Sequence, residues 1–306
     1  MRQGGDIQRR IRTRVYIDGY NLYYGCLKRS ADKWLDPRML VGCILSTLSY
    51  EQDGELIGDR CQRLTVKYFT ALILETFAKS NDSVACQRHY HAALLAHLED
   101  DLEIIQGYHE ARPARAHRWE PRRPPLTCDT IEIWRLEEKQ SDVALALHAY
   151  SDAIRGQVDQ VIVLTNDTDV VPALQMIREH TNVIIGVIAP IRVARGTVNV
   201  AIERCAHWTR KNIGDEELAR SQLPARVRGS GGMIHKPIGW CPRPDLLAPV
   251  FEEAKRVKGS AGAARRWLNQ PCTHLGGRIP IEMCADDVSV LALQSYMRRY
   301  AKEYGI

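Results

Sequence analysis

Short apolar bursts recur along this chain, and several of them end on acidic or polar residues. Residues 14–18 (RVYID), 63–71 (RLTVKYFTA), 102–108, 128–136 (CDTIEIWRL), 159–164 and 183–188 (VIIGVI) read as strands. Uninterrupted runs such as 161–164 (VIVL) suit parallel strands buried on both faces. In 128–136 the alternation instead places Ile131 and Ile133 inward. Between the bursts the spacing is helical. Residues 36–50 carry Pro37 in the first turn and Leu40, Ile44, Leu45 and Leu48 on one face. Residues 82–100, 143–154, 169–180 and 196–205 also read as helices. Strands alternating with helices from 14 to about 205 predict an α/β fold with a mainly parallel sheet.

The stretch 161–172 (VIVLTNDTDVVP) organises the rest. Past its strand stand Asp167 and Asp169, two carboxylates that are costly there unless something pairs with them. The crevice beyond the carboxyl ends of strands is where open α/β sheets bind ligands. A divalent cation held through oxygen would resolve the cost. The plainer alternative is that Asp167 or Thr168 caps the helix beginning near Val170. The logic repeats at 14–21, where the strand ends on Asp18. Gly19 would permit a tight turn there, and Asn21 is a candidate cap for the next helix. A third acid, Asp142, falls at a helix start, where either a cap or a ligand fits.

Residues 109–125 (HEARPARAHRWEPRRPP) change the composition. Their prolines forbid a regular helix, and the segment reads as a loop. Arg112, Arg115, Arg118, Arg122 and Arg123 surround Trp119, a set suited to phosphate contact and base stacking. A solvated charge run is the alternative. Residues 214–244 hold Gly229, Gly231, Gly232 and four prolines and read as a linker. Residues 245–306 then turn helical. The division expected is a basic tail at 1–13, an α/β domain at 14–213, the linker, and a helical domain at 245–306.

Composition is that of an ordinary globular protein, with 45% hydrophobic and 26% charged residues. A net charge of +5 permits a nucleic-acid partner without demanding one. No apolar run reaches bilayer length and the N-terminus lacks a signal-peptide core, so a cytoplasmic protein without membrane contact is expected. Nine scattered cysteines form no CxxC pair, which argues against a zinc ribbon and for free thiols. The histidines, among them His89, His91 and His207, show no ligand spacing and read as surface or core residues.

DGYN at 18–21, EKQSD at 138–142 and TNDTD at 165–169, in that order, resemble the NYN domain, the LabA-like branch of the PIN-like ribonuclease superfamily. The resemblance covers about 14–210. The family commonly has Ser-Gly before its last acid cluster, and here Thr165 and Asn166 stand there. The resemblance implies a PIN-like Rossmannoid fold and an Mg2+- or Mn2+-dependent endoribonuclease. Asp18, Asp142, Asp167 and Asp169 would be its metal-binding acids, Asn21 an accessory ligand or orienting group, and Lys139 a phosphate contact or a solvated lysine. A catalytically silent nucleic-acid-binding or scaffolding protein is the main alternative, and a phosphatase or small-nucleotide hydrolase a third. Residues 265–283 (RRWLNQPCTHLGGRIPIEM) and the helix after them resemble the toxin-binding C-terminal domain of MbcA/ParS/Xre antitoxins. That likeness implies partner binding, a homodimer through this domain, and a regulatory module carried by the nuclease itself, whose end at 303–306 would occlude the acidic site. The alternative is an ordinary helical cap packed on the α/β domain.

Overall fold

The computed structural model describes residues 11–52, 55–58, 61–78, 82–193 and 196–305. Its strands in chain order are β1 (Ile11–Asp18), a two-residue hairpin β2 (Glu51–Gln52) and β3 (Glu55–Leu56), β4 (Cys61–Ala71), β5 (Leu102–His117), β6 (Thr130–Lys139), β7 (Gln160–Leu164), β8 (Ile184–Ile188), β9 (Trp208–Arg210), β10 (Arg226–Gly229) and β11 (Gly232–His235). The helices are α1 (Gly19–Leu22), α2 (Pro37–Ser46), α3 (Ser83–Leu98), α4 (Ser141–Ile154), α5 (Val171–His180), α6 (Val200–Cys205), α7 (Asp215–Arg220), α8 (Pro244–Lys258), α9 (Ala261–Leu268) and α10 (Asp287–Tyr304).

Seven strands form one sheet in the order β6-β5-β4-β1-β7-β8-β9. All neighbours are parallel except β5 and β6. Side chains alternate across it as the strand period demands. Val15, Ile17, Ile162 and Leu164 pack with α2 and α3 on one face. Tyr16, Val161 and Val163 pack with α4, α5 and α6 on the other. The fold is thus the α/β, PIN-like architecture expected, with a mainly parallel sheet between helical layers.

Five expectations need correction. The tail read as 1–13 loses its last residues to β1, which starts at Ile11 because that side chain is buried in the core; residues 1–10 lie outside the described ones. The segment read as a loop from 109 is mostly strand: β5 continues to His117 and pairs antiparallel with β6 over Tyr108–His117. Pro113 is tolerated because β4 ends opposite Gly107, so beyond it β5 is one strand of an edge ribbon. Ile131 and Ile133 do not face a core, since the ribbon projects past the sheet and Ile131 is exposed. The linker read at 214–244 is largely built into the α/β unit. Leu218, Leu223 and Val227 are buried in the main core, and Trp34 Nε1 donates to the Pro224 carbonyl at 2.8 Å. Glycine and proline there shape the β10–β11 hairpin rather than a free tether. Gly19 serves close approach rather than a positive φ: a Cβ there would stand 2.7 Å from Tyr68 Cε1.

Residues from α8 onward bury their own cluster, including Leu247, Val250, Leu268, Leu293 and Met297. This helical unit joins the α/β unit through Trp240, whose ring lies 6.2 Å from Trp34 and 5.7 Å from Tyr90.

Candidate active site at the carboxyl edge

Parallel pairing carries the acids together. Ile17 pairs with Leu164, so β1 and β7 end side by side and release Asp18 and Thr165 at the same edge. Because β6 runs back along β5, Glu138 and Lys139 return opposite His109 and Tyr108, one step beyond that edge, and α4 starts there with Asp142 in its first turn. Gly107 allows the approach, since a Cβ at that position would meet the Lys139 carbonyl at 2.3 Å.

Asp18 is 8% exposed. Its Oδ1 accepts from the Asn21 amide at 2.9 Å and its Oδ2 from the Thr165 hydroxyl at 3.1 Å. Asp167 caps the turn after β7 by accepting from the Asp169 amide at 3.1 Å, and its own amide donates to Thr165 Oγ1 at 3.1 Å. The cap and the acid cluster are therefore one device, because the hydrogen bonds that shape the turn fix the carboxylates. Asn21 Oδ1 accepts from the Asn166 amide at 3.3 Å, which ties α1 to the loop after β7. Asn166 in turn donates to the Thr197 carbonyl and accepts from the Asn199 amide. Thr165 and Asn166, the departure from the family pattern, thus brace the site.

The carboxylates feel one another. Burial, then Asp18, Asp167 and Asp169, push Asp142 up to about 6, although its outer edge is open to solvent. Burial also raises Asp18, with Glu138 and Asp167 adding to it. Glu138 is raised by burial and by Asp142 against an opposing pull from the nearby Ser141 hydroxyl, and its buried Oε1 has no partner at ordinary hydrogen-bond distance. The sequence pattern alone ends the strand at 136 and assigns no role to Glu138. Its signal was the alternation that places it on the same ribbon face as His109.

These groups suit a hard cation. All donors are oxygen, they repel one another, and one buried oxygen lacks a partner. Among the described residues no three of them close on a single point as direct ligands of one ion do. Mg2+ takes one or two carboxylates and keeps several waters, so that arrangement fits it. Without a cation, each raised carboxyl gains a proton more readily folded than unfolded. Stability in EDTA should therefore rise as pH falls from above about 6 toward the ordinary carboxylate range, and Asp142→Asn should flatten that rise in denaturant titrations.

The remaining candidates scatter. Lys139 Nζ is held by Glu137 Oε2 at 2.6 Å. Arg112 and Arg115 lie on β5 and Arg118 just past it. Trp119, Arg122 and Arg123 are in the turn region beyond, with Trp119 83% exposed. Arg112 pairs with Glu137 and Arg123 with Glu120. Trp134 on β6, not read as a contact from sequence, is 66% exposed beside Phe77. All nine cysteines are free thiols, and no helix among the described residues is long and apolar enough to cross a membrane.

A parallel sheet whose strand-end acids meet beside a helix start defines a PIN-like domain. The chain belongs to the NYN-domain family, whose model matches residues 12–209. Residues 250–299 match the antitoxin Xre/MbcA/ParS C-terminal toxin-binding domain. The chain is similar to the 6-hydroxy-3-succinoylpyridine 3-monooxygenase HspA of Pseudomonas putida, 43% identical over 279 residues that cover 89% of each chain. Among solved structures it is similar to a Vibrio parahaemolyticus protein of unknown function, 16% identical, covering 71% of this chain and 98% of that one with a TM-score of 0.39. At that score the likeness carries no argument about fold or function.

Proposed function

We propose that this chain is a metal-dependent endoribonuclease whose centre is Asp18, Asp142, Asp167 and Asp169 with Glu138 beside them. The observation that carries the reading is geometric: β1 and β7 end side by side, Asp18 and the turn carrying Asp167 and Asp169 share Thr165, and α4 begins nearby with Asp142 in its first turn. Asp18, Asp142, Asp167 and Asp169 would hold Mg2+ or Mn2+. Bound there, the ion would activate water and neutralise charge on the scissile phosphate during an in-line displacement. The chain's own part is placement. Thr165 and the Asn21 amide hold the Asp18 carboxylate, Asp167 fixes the turn that carries Asp169, and Asn21 locks the two strand ends together.

The basic ribbon supports RNA as the substrate. Arg115, Arg118 and Arg122 are exposed on the arm that also carries the exposed Trp119 and Trp134, so backbone contact and base stacking are available there. Replacing Arg115 and Arg118 by Ala should reduce the slope of log binding constant against log salt by about 1.4, at about 0.7 per lost phosphate contact on single strands. Fluorescence anisotropy across a salt series checks this, and an unchanged slope removes the ribbon from the interface.

The test of the activity is incubation of a mixed-sequence RNA with Mg2+, Mn2+ or EDTA, beside an Asp167→Asn control. Metal-dependent cleavage lost in the control supports the reading. RNA binding without any turnover would favour the silent binding protein instead. The C-terminal helical unit would regulate the site or bind a toxin-like partner. Its own separate core permits removal. Deleting 245–306 is expected to raise cleavage, and unchanged or lower activity of the folded remainder argues against inhibition. Residue 306 at the proposed occluding end lies outside the described residues.

A second reading is favoured by one observation, the 43% identity to a hydroxypyridine monooxygenase along most of both chains. Incubation with 6-hydroxy-3-succinoylpyridine, O2 and an electron donor tests it. Oxygen-dependent loss of the substrate, alongside intact RNA, would replace the nuclease reading.

A further inference from the structure

The outward side of α4 is apolar from end to end. Leu145, Ala149 and Asp152 turn toward the sheet and are buried. On the opposite side Val143 is 64% exposed, Leu147 62% and Ile154 48%. Aliphatic side chains exposed singly are ordinary, whereas a contiguous stripe of them marks an interaction surface. Tyr150 stands at the edge of the stripe toward α5, its hydroxyl 2.8 Å from His180 Nδ1, and the exposed Met176 on α5 extends the patch. Between Asp142 and Arg155 the outward residues are Val143, Ala146, Leu147, Tyr150, Ser151 and Ile154, and none of them is charged. A partner laid along this face therefore meets no charge that it would have to bury.

The spacing selects the partner. Val143, Leu147, Tyr150 and Ile154 follow one another at steps of four, three and four. That is the seam of a coiled coil, with Val143 and Tyr150 at d and Leu147 and Ile154 at a. Turned end over end, the stripe matches itself: Val143 falls beside Ile154 of a second copy and Leu147 beside Tyr150. A two-fold dimer requires this kind of self-match, in which one residue meets another and the reverse contact repeats it. Charge agrees with the antiparallel sense. Asp142 opens α4 and Arg155 caps its end, so antiparallel helices set the acidic end of one beside the basic end of the other and oppose their dipoles. A parallel pair would set Asp142 beside its own copy and align the dipoles.

We propose that a second copy of this chain docks antiparallel on the outward face of α4, forming a two-fold dimer with Leu147 and Tyr150 at its centre. The two Asp142 positions then lie about 20 Å apart along the seam, at a helical rise of about 1.5 Å per residue. The dimer rests on the α/β unit rather than on the C-terminal helices, and it stands whichever reaction the acids perform.

Sedimentation equilibrium of the full-length protein across roughly 1–100 µM, the span over which micromolar dimers dissociate, tests this. A monomer–dimer equilibrium is expected. Leu147→Glu should weaken the dimer about a hundredfold, because it takes a leucine of each copy out of the seam and buries a carboxylate in its place. Leu147→Lys should do the same, and an equimolar mixture of the two variants should dimerise again, since the two-fold brings the substituted positions together. Val143→Glu and Ile154→Lys should likewise restore each other in mixture, which a parallel pair does not allow. Leu291→Glu, at an exposed position of α10, should leave the dimer intact. Circular dichroism checks the fold of each variant. If the Leu147 variants do not fold, the wild-type concentration series and the Val143→Glu and Ile154→Lys mixture decide. A monomer at every concentration, a dimer that Leu147→Glu leaves intact, a dimer split by Leu291→Glu instead, or mixtures that stay monomeric overturn the proposal.

Discussion

Asp142→Asn is expected to remove metal-dependent RNA cleavage while leaving the fold at least as stable as before. The activity loss should be about 10³-fold, because a catalytic cation contributes several kcal/mol of charge stabilisation and each ~1.4 kcal/mol is tenfold. The stability expectation follows from the sign of its shift. Burial and three neighbouring aspartates make the ionised Asp142 unfavourable in the fold, so a neutral amide relieves repulsion. Single-turnover cleavage and urea unfolding of the two proteins measure both sides. A variant that loses activity and stability together would make Asp142 a structural residue instead.

Asp152→Ala should act in the opposite way, lowering stability by about 3–5 kcal/mol, the cost of stripping one partner from a buried ion pair. Asp152 stands near the end of α4 on its buried face, 5% exposed. Its Oδ2 accepts from Arg14 Nη1 at 2.7 Å and from the Tyr16 hydroxyl at 2.7 Å, and pairs with Lys67 Nζ at 2.8 Å. Burial alone would raise this carboxyl, but Lys67, Tyr16 and Arg14 outweigh it and hold it below its usual value. Its contribution is therefore present above the ordinary carboxylate range and fades as pH falls through the lowered value. Denaturant midpoints should drop with an unchanged slope, since the surface exposed on unfolding is the same. A change under 1 kcal/mol would mean that the two cations and the tyrosine find other partners. Two aspartates close to one sheet thus differ in sign, one satisfied by cations of the chain and one by none.

The acid motifs were legible because Asp18, Asp167 and Asp169 follow the end of an apolar run and Asp142 opens a helix, and the geometry of a parallel sheet leaves strand ends few places to go. Asp18, Asp142, Asp167 and Asp169 could be read that way, as could the alternation that specifies an α/β sheet. Glu138 could not. Its place depends on β6 running back along β5, and that depends on the ribbon continuing through Pro113. Local chemistry marks a proline-rich arginine segment as a loop, and only the pairing partner from 130 onward makes it a strand. The same reason hid the role of 214–244. Glycines and prolines signal turns whether a segment is tethered or packed, and burial of Leu218, Leu223 and Val227 against a distant sheet is set by tertiary contact.

By itself the sequence determined six strands of the main sheet, one of them only in part, most helices and two family resemblances, and it pointed to the four aspartates, since all of these are written in periodicity and short motifs. The tertiary structure decided the rest. It made Thr165, Asn166 and Asn21 a brace rather than a turn, joined Glu138 to the acids, and projected the arginines on a ribbon. Those properties depend on residues far apart in the chain meeting in space, and no local pattern encodes which will meet.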